Sequence, residues 1–161
     1  MALVGFSNVY EEALLALLFT NTDVAGIGDA GGLRGSVEAG SLYLALYTAD
    51  PDEGGSANLT EASFTGYARV GVARNGTQWT ISQDGGTGKG KAVNTSTISF
   101  GQNTGAQQTL SHWAVVEGAS GAGDIILGAP LRDVNNIIAT IPVATGATAQ
   151  FGAGQLSTLL E

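Results

Sequence analysis

Residues 42–47 alternate leucine with tyrosine or alanine, so Leu42, Leu44 and Leu46 fall on one side of an extended chain and Tyr43, Ala45 and Tyr47 on the other. Both sides are apolar, which predicts a strand packed on both faces. Asp50 and Pro51 end it: proline has no amide donor and a fixed φ, and the aspartate can accept a bond from the turn backbone. A second alternation over residues 67–74 puts Tyr67, Arg69, Gly71 and Ala73 on one face and Ala68, Val70, Val72 and Arg74 on the other. Asn75-Gly76 follows, a pair that tolerates positive φ and predicts a tight type I′ hairpin into a return strand over residues 77–82.

Before the first strand, the spacing of Val9, Ala13, Leu14, Leu17 and Leu18 predicts an amphipathic helix over residues 9–19, with Asn8 and Glu11 at capping-box spacing. Residues 20–40 carry six glycines that break any period, which predicts a long surface loop. Loops of that length commonly serve binding. Residues 83–91 read as a second glycine-rich loop. Further short strands are expected near 95–100, 108–117, 125–130, 136–143, 148–151 and 156–160. About eight or nine short strands, one helix and no βαβ alternation predict an all-β fold, an antiparallel jelly-roll-like β-sandwich with a short N-terminal α-helix. The expected organisation is one domain over 1–161, with arm, helix and loop in 1–40 and the sandwich in 41–161.

Composition narrows the chemistry. With no cysteine and one histidine in 161 residues, thiolate, disulfide and zinc chemistry have no basis, and neither a cofactor nor a metal site is expected. The net charge of -8 with only 6 Lys and Arg opposes a phosphate grip, so nucleic acid is not an expected partner. The apolar run at 13–19 is too short to span a bilayer and follows two glutamates where a signal peptide would be basic, so no membrane role is expected. Synthesis in the bacterial host cytoplasm follows from the same reading.

Several local patterns resemble sites and fall short. Residues 85–91 lack the Ser or Thr and the following helix of a P-loop, which leaves a flexible hairpin tip. Asp50, Asp52 and Glu53 are too few ligands for calcium, with Pro51 interrupting the wrap. His112 beside Trp113 lacks a nucleophile elbow, so no catalytic residue is assigned and no enzyme is expected. Arg69, a charge within an apolar strand, needs a local partner such as Asp50, Glu53 or Glu61. The sequons at Asn58, Asn75 and Asn94 are incidental.

The segment Leu42-Tyr43-Leu44-Ala45-Leu46-Tyr47-Thr48-Ala49-Asp50-Pro51, followed by Gly66-Tyr67-Ala68-Arg69-Val70, resembles a family of tailed-bacteriophage structural proteins described as head cement (decoration) or tail-fibre-like proteins. Residues 97–100, 112–115 and 127–131 and the 146–156 tail fall in the family's order. The resemblance implies a virion protein on the outer capsid surface, binding the lattice of the major capsid protein and stabilising the head, with self-association as a homodimer or homotrimer. A tail or tail-fibre component is the alternative, against which stands the lack of shaft repeats or heptads. A carbohydrate-binding module with exposed tryptophans is a more distant reading. The motif residues Leu42, Tyr43, Tyr47, Asp50, Pro51, Tyr67, Arg69 and Trp113 are assigned to structure. Partner binding is assigned to the apolar N-terminus, Ala2, Leu3, Val4 and Phe6, and to Leu33 and Arg34 of the glycine-rich loop.

Overall fold

A computed structural model describes residues 5–29, 31–52, 59–133 and 135–160. The chain forms one helix, α1 (Asn8–Thr20), and then eleven strands: β1 (Ser41–Tyr47), β2 (Val70–Ala73), β3 (Trp79–Gln83), β4 (Gly90–Asn94), β5 (Ile98–Gln102), β6 (Gln108–Leu110), β7 (His112–Val116), β8 (Ile125–Pro130), β9 (Ile141–Val143), β10 (Thr148–Phe151) and β11 (Ser157–Leu159). The fold is all-β with antiparallel sheets and a short N-terminal helix, of the sandwich class the strand count predicted, and no barrel closes. The strands make a four-stranded sheet ordered β2-β1-β7-β8, a three-stranded sheet β11-β4-β3, and the pairs β10-β5 and β6-β9. Two compact units result, one from residues 1–41, 73–97 and 151–161, the other from 42–72 and 98–150.

The first unit is α1 against the three-stranded sheet. Its helix packs on Glu11, Leu15 and Phe19, which are buried, and leaves Val9 exposed. That overturns the expected stripe of Val9, Ala13, Leu14, Leu17 and Leu18. The helix is apolar nearly all round, so its period selects no face. Gly90 selects it: a Cβ there would lie 2.7 Å from the backbone of Glu11 and Glu12, so only glycine lets the helix approach β4 this closely. The Gly90 amide donates to the Glu11 carboxylate at 2.8 Å, and Phe19 meets Trp79 edge-on at 4.6 Å. Glu11 therefore does not form a capping box, and Ser7, not Asn8, is the N-cap residue.

Other expectations are corrected nearby. Asn75-Gly76 is no type I′ turn, since neither residue has positive φ and β2 and β3 lie in different sheets. Instead the Asn75 side chain accepts from the Thr77 and Gln78 amides at 3.0 Å, an Asx turn that sends the chain from one unit to the other. Residues 83–91 are not all loop: Gly90 and Lys91 begin β4, and the hairpin tip is fastened by Asp84, which accepts from Gly86, Thr87 and the Thr87 hydroxyl. Residues 20–40 also carry structure, a Val24–Leu33 antiparallel bridge with Asn21 and Asp23 bonding Ser36 and Gly35 across the loop.

The second unit is built on β1, where Leu42, Leu44, Ala45, Leu46 and Tyr47 are all buried, so both faces are covered as the double apolar alternation implied. Tyr43 pairs with Val116 and Tyr47 with His112 along β7, and Ala45, Tyr47, Ala114 and Val116 form one apolar cluster with Tyr43 and Ile125 against it. The expected strand over 108–117 is split at Ser111, whose amide turns to the Tyr47 carbonyl, and of 136–143 only Ile141–Val143 pairs as a strand.

Candidate functional site

The motif residues converge on a buried polar network. Glu61 bridges to Tyr47 at the edge of β1. Arg69 donates through Nε and Nη2 to the two Glu61 oxygens, each at 2.8 Å, and through Nη1 and Nη2 to the Gly118 and Gly121 carbonyls, also at 2.8 Å. The Tyr67 hydroxyl donates to Glu61 at 2.8 Å and accepts the Leu46 amide at 3.0 Å, so a side chain completes the β1 ladder where no strand does. Of the three carboxylates expected as partners for Arg69, Glu61 is the one that meets it, a planar two-point match. The Glu61 charge and bond hold the Arg69 guanidinium firmly protonated, and burial pushes the Tyr47 phenol up to about 12, the Glu61 charge acting in the same sense.

Gly66 explains the first letter of its motif. It has φ +99°, and a Cβ on it would overlap the Gln102 carbonyl, while one on Gly101 would overlap the Gly66 carbonyl. Two bare Cα atoms thus let the Tyr67 turn lie against β5, where Tyr67 packs between Phe64, edge-on, and Phe100, stacked.

Asp50 accepts the Asp52 amide at 3.0 Å, the turn expected before and after Pro51. Glu53 and the Asn58 sequon lie outside the described residues. His112 stands between Ser111 Oγ at 2.9 Å and Asp50 Oδ2 at 3.8 Å, but the Asp50 side chain is 77% exposed and too loosely held to orient an imidazole. Among the described residues no group of acids and histidine could hold a metal ion. Asn94 is buried with its side chain bonded to Ser96, Gly152 and Leu156, which closes that sequon to modification. Trp113 and Trp79 are both buried, which removes the sugar-stacking surface that a carbohydrate-binding reading required.

The residues assigned to partner binding divide. Ala2, Leu3 and Val4 lie outside the described residues. Phe6 is 55% exposed and is followed at helical spacing by Val9, 68% exposed, and by Tyr10, also exposed. Leu33 and Arg34 are exposed on a separate element, the loop fastened by the Val24 bridge. Sequence reasoning missed Arg74, whose guanidinium donates to the Leu17 and Leu18 carbonyls at 2.6 Å, to the Ala39 carbonyl at 3.1 Å and to the Ser36 hydroxyl at 3.0 Å. It also missed Asn103, fully buried and bonded to Gly105, Ala106 and Val143. A long-range cap of this kind leaves no local signal beyond a charge at a strand end.

The family model described as Podophage GP4 fiber I protein gp80 matches residues 5–158, nearly the whole chain. The chain belongs to this family. It is therefore a bacteriophage structural protein, of fibre-like kind, and the gp80 match runs through the helix, both motifs and β11. No curated protein matches the chain.

Proposed function

We propose that this gp80-family chain is a non-enzymatic, fibre-like component of the tailed-phage virion, a folded module that attaches by surface contacts. The observation that carries the reading is the family match across residues 5–158. The use of its polar side chains supports it, since Arg69, Glu61, Tyr67, Asn94 and Asn103 are spent on internal bonds that rigidify the fold. Attachment is assigned to the N-terminal apolar surface led by Phe6, Val9 and Tyr10, with Leu33 and Arg34 as a second patch. A specific contact buries about 1,600 Å². Several such contacts in one homodimer or homotrimer would act together through high effective concentration.

A second reading, a cement protein on the outer face of the major capsid protein lattice, is favoured by one feature: the chain contains no heptad or repeat from which to build a shaft. Separating purified virions into head and tail fractions and quantifying this chain in each by mass spectrometry tests the choice. Recovery with tails supports the fibre-like component, and recovery with heads supports cement.

A further inference from the structure

We propose that the hairpin whose arms are residues 131–133 and 137–139 is a docking element, seating Ile137 and Ile138 in an apolar recess rimmed by basic side chains on a different virion protein. The proposal rests on the virion reading above and adds a second contact, in the second unit.

Ile137 and Ile138 are each 62% exposed, and Ile141 is exposed as well. Exposure of two adjacent isoleucines is costly in water, yet the backbone beneath them is held in detail. Arg132 bridges Ile138, the Asp133 amide donates to the Ile137 carbonyl at 2.8 Å, and the Ala139 amide donates to the Leu131 carbonyl at 2.9 Å. The Asp133 carboxylate accepts the Asn135 and Ile137 amides at 2.8 and 2.9 Å, Arg132 Nη1 donates to the Asn136 carbonyl at 2.9 Å, and Asn136 takes φ 62°. The root is fixed by buried Leu131, whose amide donates to the Ser111 carbonyl at 2.8 Å. A preorganised turn carrying two stiff β-branched side chains loses little entropy on docking.

The charges in the same unit choose the occupant. Its exposed ionised side chains among the described residues are Asp50, Asp52, Glu117, Asp124 and Asp133 against Arg132, because Arg69 is buried on Glu61. Two copies meeting through this acidic surface would repel, whereas a recess with a basic rim is complementary. Strand addition at β8 is the weaker route, since a register shift opposite Val115 and Val116 and Pro130 at its end both blunt that edge.

The test uses phage carrying Ile137→Ser with Ile138→Ser, and phage with a photo-cross-linking phenylalanine analogue at position 137. Both isoleucines are exposed, so the double variant should keep its fold, checked by circular dichroism and thermal melting of the purified chain. The expected result is a loss of about tenfold or more in copies per purified virion, Ile138→Val retaining wild-type occupancy, and a cross-link to a different virion protein beside Lys or Arg. Unchanged occupancy of the double variant overturns the proposal, and so does a cross-link to a second copy. Absence of the wild-type chain from purified virions is a separate result, which defeats the virion reading itself.

Discussion

Arg69 and Glu61 form a two-point ion pair whose side chains are 2% and 13% exposed, eight residues apart in sequence and closed over by Gly118 and Gly121 carbonyls. Arg69→Met removes one partner and leaves the Glu61 carboxylate buried with only Tyr67 as donor. Breaking a buried pair this way costs about 3–5 kcal/mol. Chemical denaturation should show that loss for Arg69→Met and a smaller one for the double variant with Glu61→Met. Equal stability of wild type and Arg69→Met would remove the pair from the account.

Gly101→Ala places a Cβ on the Gly66 carbonyl, whereas Gly76→Ala meets nothing within 4 Å at a φ open to any residue. The first should cost roughly 2–4 kcal/mol, as overpacking against backbone does at its upper range. The second should be neutral or slightly stabilising, because alanine narrows the unfolded ensemble. Thermal melting of the two side by side decides it.

Arg74 supplies the positive charge that the last turn of α1 lacks, bonding Leu17 and Leu18 carbonyls from another element. Charged hydrogen bonds contribute about 1.5–3 kcal/mol each. Arg74→Ala should destabilise by about 2–3 kcal/mol. Hydrogen exchange should locate the change in the last turn of α1 and residues 36–39, where the guanidinium also reaches.

Burial raises the Tyr47 phenol from 10.0 to about 12 and raises Tyr67 further, the Glu61 charge adding to both. Unfolded tyrosines lose their protons near pH 10 while these two keep them in the folded state, so the unfolded chain binds fewer protons. The stabilisation is complete below pH 10 and is lost as pH climbs through the folded values. Denaturation followed from pH 9 to about pH 12 should show stability declining above pH 10, and Tyr67→Phe should flatten that decline.

The sequence made β1 legible because leucines and tyrosines covered both faces, and β8 and β10 because turn residues bracket them. The helix was legible in extent but not in its packed face, since an almost wholly apolar helix gives no preference until Gly90 offers a bare Cα. The β4 strand hid among glycines for the same reason: Gly90 serves the close approach, not a flexible tip. The Asn75-Gly76 pair misled because its side chain bonds ahead into an Asx turn. Arg69 was visible as a charge needing a partner, whereas Arg74, Asn94 and Asn103 acquire their roles from residues 17 to 62 positions or more away, which no local pattern encodes.

The central claim is that this gp80-family chain is a fibre-like structural component of the virion. Cryo-electron microscopy of purified particles tests it most directly, by fitting the two compact units into density. The account predicts that they fit at the tail or its fibres, with the exposed Phe6 and Ile137 surfaces against neighbouring chains. Density for this chain spread over the head lattice, or missing from the particle altogether, would contradict it.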